Sequence, residues 1–307
     1  MSVLVYVESP YQLENAIKYL LDGNKSEGFR VIIRDNSNET QLSQMKSLIS
    51  NSGLIDVSFI KLTGGGLMRL LLYPFVLLRV LYKGVFSTTV IIGDARSIVA
   101  FPLIKLAEVF NRRIVLVDDG LYLLSYIKNI FRKKYTVYTR LPLGALIEKN
   151  SMSLIFKPCE ITKAPCKADF SGQVNFIGMK ISEIGFVTEK FYIEYLKKIL
   201  QKFNGHSFNY YAHRGESLDK LRIIEKIGYK VITPSISIEK YLIDKGAYKG
   251  IYVTFFSTAL YNLSMMVSCG EFYFIRVRGG EFFHLQTSNV LECYKLFSTA
   301  GLKELNI

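Results

Sequence analysis

Histidine and cysteine are scarce in this sequence, and neither forms a pattern that holds a metal ion. The chain has three histidines and four cysteines among 307 residues. Cys159 and Cys166 are seven positions apart, which is the wrong spacing for a CxxC metal or redox pair. We therefore expect free thiols in a reducing cytoplasm and no bound metal.

Neither a signal peptide nor a membrane-spanning segment is expected from the sequence pattern. The N-terminal MSVLVYVESP has no basic region before its apolar run, so a secretory signal is not expected. The stretch Leu67–Ile92 is very apolar, but it contains Arg69, Arg79 and Lys83. A spanning helix needs about 20 residues with few or no charges. The sequence favours either an in-plane amphipathic helix on acidic lipid, over Leu67–Lys83, or a buried helix whose cations reach solvent.

Acidic residues are outnumbered, and the excess of positive charge predicts an anionic partner. Lys and Arg total 39 against 26 Asp and Glu, which gives a net charge of +13. Nucleic acid, acidic lipid and a phosphorylated substrate all fit this charge. The basic residues are scattered and no nucleic-acid-binding module is recognisable, so no nucleic-acid partner is expected. The basic stretch from Lys128 to Arg140, together with Leu67–Lys83, predicts peripheral contact with an anionic membrane surface.

Short apolar runs typical of buried strands alternate with segments of helical periodicity, in two blocks. The chain is 50% hydrophobic and long enough for two cores. This alternation predicts an α/β fold with doubly wound parallel sheets. We expect two Rossmann-like domains, residues 1–160 and 170–307, joined by an irregular connection at about 145–173.

Polar clusters follow the predicted strands at the points where these end. In doubly wound sheets, ligands bind beyond the carboxyl ends of the strands. If the two domains face each other, the clusters line one central cleft. They are Glu8-Ser9-Pro10, Asp94-Ala95-Arg96, Asp118-Asp119-Gly120, His213-Arg214 and Ser257-Thr258.

Two of these clusters carry groups suited to acid–base chemistry. Adjacent strand residues point to opposite faces, so one of Asp118 and Asp119 can serve as a general base, although a capped turn explains the pair equally well. An imidazole and a guanidinium at a strand end, His213 and Arg214, suit the grip and protonation of a phosphate. The alternative is a surface turn with a solvated histidine.

Other positions suit anion or ribose binding at helix N-termini. Ser9 is a predicted N-cap, and Ser257 and Thr258 combine hydroxyls with the free N–H groups of a helix start, although both are also ordinary caps. Glu239, in the first turn of a short helix, can accept hydrogen bonds from both ribose hydroxyls; the alternative is a first-turn Glu that the helix dipole stabilises. Gly178 ends the first strand of the second block and is a further candidate binding residue at a strand end.

Several segments carry a resemblance through their joint order: VYVESPYQLENAIKYL, VLVDDG, FIGMKISEIGFV, YYAHRGES, ITPSISIEKYL and VTFFSTALYNL. This order resembles bacterial sialyltransferases, most of all glycosyltransferase family 52 and the related capsule and lipooligosaccharide sialyltransferases and polysialyltransferases. The resemblance implies a GT-B fold of two Rossmann-like domains. It also implies a CMP-activated nonulosonic acid donor and inversion at the anomeric carbon without a metal.

The resemblance further implies roles for individual residues. The acid-acid-Gly motif falls on Asp118-Asp119-Gly120, which implies the base that deprotonates the acceptor hydroxyl. The histidine motif falls on His213, which would bind or protonate the departing CMP phosphate. The remaining implied donor contacts are Ser257 and Thr258 on the phosphate and Glu239 on the cytidine ribose.

The segments depart from the family pattern at two positions. Arg214 stands where the family usually has proline, and Thr258 replaces the second serine of a pair. Arg214 adds a cation to the predicted phosphate site, so CMP-Kdo, another nonulosonate or a UDP-sugar remain alternative donors. A non-catalytic, membrane-associated assembly factor is the alternative from another class. The expected setting is the cytoplasmic face of a bacterial membrane, with a capsule, O-antigen or lipooligosaccharide acceptor and either a monomer or a homodimer.

Overall fold

The computed structural model divides the chain into two compact units, Met1–Glu160 and Ile161–Ile307. The residues it describes are 2–23, 28–53, 56–61, 66–120, 123, 135–141, 154–158, 169–246, 249–267, 269–278 and 287–307.

The first unit is built on a sheet of seven parallel strands in the order β3-β2-β1-β4-β5-β6-β7. The strands are β1 (Val3–Val7), β2 (Phe29–Asp35), β3 (Asp56–Lys61), β4 (Thr89–Ile92), β5 (Arg113–Val117), β6 (Tyr135–Thr139) and β7 (Leu154–Pro158). The helices are α1 (Pro10–Asp22), α2 (Glu39–Ser52), α3 (Gly66–Val85) and α4 (Ala100–Val109). The strand order reverses between β1 and β4, and in doubly wound sheets this switch point is where ligands bind.

Local chemistry explains where these elements begin. Every residue of β1 is buried, as expected of a strand covered by helices on both faces of its sheet. The hydroxyl of Ser9 accepts a hydrogen bond from the Gln12 N–H, and Pro10 fills the first helical position of α1. Asn38 caps α2 in the same way, and α2 ends at Gly53 in the left-handed conformation.

The second unit has six parallel strands in the order β10-β9-β8-β11-β12-β13. The strands are β8 (Asp169–Ile177), β9 (Ser207–Tyr211), β10 (Lys230–Ile232), β11 (Lys249–Thr254), β12 (Glu271–Phe274) and β13 (Lys303–Glu304). The helices are α5 (Glu189–Lys202), α6 (Leu218–Lys226), α7 (Ile238–Asp244), α8 (Thr258–Met266) and α9 (Thr287–Thr299). This order repeats that of the first six strands of the first sheet, and its switch point lies between β8 and β11.

Aromatic side chains make much of the second core. Phe176 of β8 stacks on Tyr210 of β9 with ring centres 5.5 Å apart, and Tyr192 of α5 and Phe255 meet its edge. Such offset and edge-to-face pairs add about 0.5–1.5 kcal/mol each beyond the apolar area that they bury. The α/β fold class with two doubly wound units is confirmed.

Two expectations about segments of the chain are wrong or need correction. The segment at about 145–173 is not an irregular connection throughout, because Leu154–Pro158 is a strand of the first sheet and β8 begins at Asp169. The basic stretch 128–140 reaches into β6, so Tyr135–Arg140 are buried rather than at a surface. Residues 128–134 lie outside the described residues.

The cysteines also differ from expectation. Cys269 is disulfide-bonded, so the prediction of a free thiol is wrong there. Cys293 is free, and burial raises its pKa to about 12, which leaves the thiol unreactive at neutral pH. Cys159 and Cys166 lie outside the described residues.

Candidate functional site

The carboxyl edge of the first sheet gathers its polar groups around Asp119. The Gln12 side-chain amide donates a hydrogen bond of 2.6 Å to Asp119 Oδ1. The other end of the same amide accepts from the backbone N–H of Glu8 at 2.7 Å. Gln12 therefore connects the end of β1 to the end of β5, two positions that are distant in sequence.

A glycine makes room for this connection. A Cβ atom on Gly93, at the end of β4, would lie 2.2 Å from the Gln12 carbonyl oxygen, which is closer than atoms can approach. Glycine is the only residue that leaves the Gln12 side chain in place. The pocket at this point is lined by Gly93, Asp94, Ala95, Arg96, Leu116, Asp119 and Leu123.

Arg96 brings positive charge into the pocket. Its guanidinium binds both oxygens of Asp94, at 2.9 and 2.8 Å, and lies 3.4 Å from Asp119 Oδ2. A two-point arginine–carboxylate contact of this kind fixes orientation as well as charge. Arg96 is thus held at the rim of the pocket by Asp94.

The two members of the aspartate pair differ in exposure. Asp118 is 0% exposed, and its carboxylate accepts from Gly120 N–H at 2.8 Å, Thr139 Oγ1 at 2.9 Å and Arg140 N–H at 3.2 Å. These contacts join the end of β5 to the end of β6. The sequence left open which aspartate acts as the base. The structure brings Asp119, and not Asp118, to the pocket.

Burial raises the pKa of Asp119 to about 7, and the nearby Asp94 carboxylate adds to the rise, against the opposing effects of Gln12 and Arg96. The ordinary pKa of an aspartate is about 3.9. A carboxyl group that gains and loses a proton near neutral pH is matched to general-base catalysis.

The other residues predicted at this edge serve the framework. The Ser9 hydroxyl caps α1, as described above. The Glu8 carboxylate is held by Arg34 at 3.0 and 3.2 Å and by the Tyr6 hydroxyl at 2.8 Å. Ser9 lies at the switch point of the first sheet, beside the Gln12 backbone.

The carboxyl edge of the second sheet presents a cationic turn after β9. The His213 Nδ1 accepts a hydrogen bond of 3.0 Å from the Gly215 N–H, so the proton of the neutral ring is on Nε2. Lys180, which follows β8, lies close enough that a Cβ on Gly215 would be 3.0 Å from its Cδ. The side chains of Lys180 and Arg214 are exposed at this turn.

The pKa of His213 is lowered to about 4, first by burial and then by the charges of Arg214 and Lys180. The imidazole is therefore neutral at pH 7. It offers one hydrogen bond from Nε2, while Arg214 and Lys180 supply the positive charge. Together they can bind an anion such as a phosphate.

A buried network that sequence reasoning missed holds this turn from behind. The Glu216 carboxylate accepts from the His213 N–H at 2.7 Å and forms an ion pair of 2.7 Å with Lys220 Nζ. The side chains of both partners are 0% exposed. Lys220 also donates to the Met179 carbonyl at 3.1 Å and lies 3.6 Å from the centre of the Tyr192 ring.

Gly178 belongs to the same network, at the end of β8. A Cβ there would lie 2.5 Å from Glu216 Oε2 and 2.7 Å from the Tyr210 hydroxyl. The predicted donor-site glycine is therefore required by the close approach of the Glu216 carboxylate. The only sequence signal for Glu216 is its place three residues after His213, the spacing at which its side chain turns back to the His213 N–H.

The remaining predicted donor residues are gathered around α8. Ser257 caps this helix by accepting from the Ala259 N–H at 3.3 Å, and Thr258 is its first residue. Glu239 accepts from the Asn262 side chain at 2.8 Å, which holds α7 against α8. The Phe256 N–H donates to the Met179 sulfur at 3.4 Å, so the ends of β8 and β11 are in contact.

The structure thus brings His213, Arg214 and Gly178 together with Lys180, and Glu239 together with α8. Among the residues that the structure describes, no three His, Cys, Asp or Glu side chains are grouped to hold a metal ion.

Known proteins resemble the chain in structure only. No protein-family model matches it. No curated protein matches it.

Several solved structures are similar to the chain over nearly its whole length. UDP-GlcNAc 2-epimerase from Methanocaldococcus jannaschii, in complex with UDP-GlcNAc and UDP, has a TM-score of 0.60 at 13% identity, over 100% of this chain and 89% of that chain. Arabidopsis thaliana UGT89C1, complexed with UDP-L-rhamnose, has a TM-score of 0.57 at 12% identity, over 99% and 84%. Acinetobacter baumannii MurG has a TM-score of 0.51 at 10% identity, over 99% of this chain and 85% of that chain. The fold of this protein is therefore of the GT-B type, with two Rossmann-like domains.

Proposed function

We propose that this protein is an inverting, metal-independent glycosyltransferase that transfers sialic acid, or a related nonulosonic acid, from a CMP-activated donor to a surface-glycan acceptor. The observation that carries the proposal is the Asp119 carboxyl group. It lies in a pocket at the carboxyl edge of a doubly wound sheet, and its pKa of about 7 suits proton removal from a sugar hydroxyl.

Asp119 serves as the general base of the reaction. The acceptor hydroxyl gives its proton to the Asp119 carboxylate as its oxygen bonds to the anomeric carbon of the donor sugar. The bond from that carbon to the CMP phosphate oxygen breaks, and its electron pair leaves with CMP through an oxocarbenium-like state. A single displacement of this kind inverts the anomeric carbon.

The turn after β9 stabilises the departing phosphate. Lys180 and Arg214 supply the positive charge that a divalent cation would otherwise supply, and His213 donates a hydrogen bond from Nε2. The N-terminus of α8, with Ser257 and Thr258, adds backbone N–H groups and hydroxyls. Preorganised donors aimed at developing charge are worth about 10²–10³ in rate each. Glu239 accepts hydrogen bonds from the ribose.

A nucleotide-sugar donor is supported by two kinds of observation. Two of the three solved structures named above hold UDP or a UDP-sugar. The ordered segments shared with bacterial sialyltransferases favour CMP and a nonulosonic acid. UDP-sugars and CMP-Kdo are the competing donors within the same fold.

Nucleotide binding followed by product release tests the proposal. A ligand present at 100 times its dissociation constant adds ~2.7 kcal/mol to the stability of the folded protein, which a thermal shift detects. We expect CMP to stabilise the protein more than UDP or GDP, and CMP to be released from CMP-Neu5Ac in the presence of a glycan acceptor. Stabilisation by UDP and not by CMP would contradict the CMP donor and identify a UDP-sugar as the donor instead. Binding of no nucleotide would favour the non-catalytic assembly factor.

The proposed setting is the cytoplasmic face of a bacterial membrane, with the protein attached peripherally. The net charge of +13 supports contact with an anionic surface. Among the helices of the described segments, none combines the length and apolar character needed to cross a bilayer.

A further inference from the structure

Helix α3 carries a stripe of large apolar side chains on the side that faces away from its sheet. Phe75 is 74% exposed and Tyr82 is 69% exposed. The stripe residues are spaced four, three, four and four positions apart, so they lie on one face of the helix. They are Leu71, Phe75, Leu78, Tyr82 and, just after the helix, Phe86.

The opposite face of α3 already completes the core. Val80 is fully buried. Gly84 lies so close to α4 that a Cβ on it would be 2.5 Å from a Leu103 methyl carbon and 3.4 Å from one of Leu106. Most of the surface of the outward stripe is therefore left out of the packing of the first unit. The sequence left an in-plane amphipathic helix and a buried helix as alternatives. Helix α3 has one buried face, with Val80, and one exposed apolar face, with Phe75.

Helix α4 extends the apolar surface. Beside it, the Tyr73 hydroxyl donates to the Ile98 carbonyl at 2.9 Å, and the Arg112 guanidinium donates to the Val85 carbonyl at 3.3 Å. The middle of α3 thus lies next to the start of α4, and the C-terminal ends of the two helices lie next to each other. The exposed apolar residues of the α4 segment are Ile98, Phe101, Val109 and Phe110. With the α3 stripe they form what we call the α3–α4 face.

The surroundings of this face are positively charged. Arg79 is exposed on one flank of the α3 stripe, about 80° around the helix from Leu71 at 100° per residue. Lys83 lies about 120° from Leu71, and its ammonium donates to the Ser58 hydroxyl of β3 at 3.2 Å. The sequence from Gly66 to Gly93 contains no Asp or Glu. On α4, the Lys105 ammonium lies over the Phe101 ring, 5.4 Å from its centre, and forms an ion pair of 3.3 Å with Glu108.

We propose that the α3–α4 face docks onto an anionic lipid bilayer, with α3 lying in the plane of the interface. Contiguous exposed apolar surface on a protein of this kind marks an interaction site. Large aromatic and aliphatic side chains rimmed by Arg and Lys match the boundary between acyl chains and acidic headgroups. A second copy of the chain fits less well, because it would bring two positively charged faces together.

Docking at this face would also locate the Asp119 pocket near the bilayer. Ile98 directly follows Ser97 and is two positions from Arg96, whose guanidinium lies at the pocket rim. An acceptor at the membrane surface would then reach the pocket without leaving the headgroup region.

Vesicle flotation of the full chain tests the proposal without donor or acceptor, so its result is independent of the proposed reaction. We expect binding to phosphatidylcholine vesicles with about 30% phosphatidylglycerol and much weaker binding to phosphatidylcholine alone. The double variant Phe75→Ser/Leu78→Ser should bind at least about tenfold more weakly. Arg79→Gln should bind roughly fivefold more weakly. Leu218→Ser, a substitution of another exposed leucine in the second unit, is the matched control and should bind like the parent.

Three results would overturn the proposal. One is equal binding to neutral and anionic vesicles. Another is binding of the Phe75→Ser/Leu78→Ser variant that equals that of the parent. The third is a parent protein that binds no vesicles and sediments as a dimer, while the Phe75→Ser/Leu78→Ser variant sediments as a monomer. That result would make this face a subunit interface. Phe75, Leu78 and Arg79 are all exposed, so both variants should keep the parent's stability, and thermal melts check this.

Discussion

The side-chain amide of Gln12 and the carboxylate of Asp119 are joined by a hydrogen bond of 2.6 Å across 107 positions of sequence. Gln12 belongs to the first helix, which is capped by Ser9, and Asp119 follows the fifth strand. The same amide is fixed at its other end by the Glu8 N–H and packs directly on Gly93. The first strand–helix turn therefore orients the carboxyl group that we propose as the catalytic base.

The assignment of this base is tested by comparing the two aspartates. Asp119→Asn removes the proton acceptor, and we expect kcat to fall by about 10²–10⁴-fold with little change in stability. Asp118→Asn turns an amide N–H₂ toward groups that all donate to Asp118. It should lower the free energy of unfolding by about 1–3 kcal/mol while the folded enzyme keeps most of its kcat. CMP-release kinetics and urea unfolding measure the two effects. The opposite pattern would make Asp118 the base.

The pKa of Asp119 predicts the pH dependence of the reaction. A base works only when deprotonated, so a pKa of about 7 means that kcat/KM rises with pH through the neutral range and then levels. The Gln12 hydrogen bond lowers this pKa, because it stabilises the carboxylate. Gln12→Leu should therefore move the rise to higher pH.

The control for this shift is Gln44→Leu, which changes a buried glutamine of α2 outside the pocket lining. It should leave the pH profile of kcat/KM where the parent has it. A Gln12→Leu profile at unchanged or lower pH would contradict the role of Gln12.

The fold and the positions of the strand ends were predictable because their signals are local. Buried runs such as Val3–Val7, Val90–Ile92 and Ile114–Val117 are apolar throughout, and turn residues or caps follow them directly. The rule that ligands bind at the carboxyl ends of parallel strands then singles out the residues just beyond each run. This reasoning reached Asp119 and His213 without knowledge of any contact.

The parts that could not be predicted depend on tertiary partners. The strand Tyr135–Thr139 contains two tyrosines and two threonines beside a basic stretch, and the buried Thr139 hydroxyl is satisfied because it donates to the Asp118 carboxylate. Lys220 has the sequence context of an exposed helix residue, yet its ammonium group is buried because Glu216 supplies a counter-charge. Neither partner is visible from the sequence around the residue itself.

The protonation state of His213 is a separate prediction. We expect ¹⁵N NMR at pH 6 to show a neutral ring with the proton on Nε2, since the pKa is about 4 and Nδ1 accepts from Gly215. Lys180→Met removes a nearby cation and should raise this pKa, whereas Lys190→Met, on the exposed start of α5, should not. A charged ring at pH 6 in the parent would contradict the assignment.

The same pKa has a consequence for stability. The unfolded chain has an ordinary histidine pKa of about 6.5, so between pH 6.5 and 4 it binds a proton that the folded chain does not. His213 therefore contributes stability at neutral pH that is lost as the pH falls through this range. His213→Gln should remove this part of the pH dependence of unfolding.

The buried pair of Glu216 and Lys220 should be strongly coupled, because each charge is desolvated and depends on the other. Lys220→Met leaves the Glu216 carboxylate buried without its cation and should cost about 3–5 kcal/mol of stability. The double variant Glu216→Gln/Lys220→Met removes both charges and should lose less than the sum of the single losses. Urea unfolding of the parent, Glu216→Gln, Lys220→Met and the double variant gives the coupling energy.

Nucleotide affinity separates a structural role of this pair from a role at the donor site. Glu216 accepts from the His213 N–H, and Lys220 binds the carbonyl of Met179, next to Lys180. If the pair sets the position of the cationic turn, the folded double variant should bind CMP more weakly than the parent. Arg222→Met, on the exposed side of the same helix, should not change CMP binding. Additive stability losses with unchanged CMP affinity would show that the pair acts neither as a coupled unit nor on the turn.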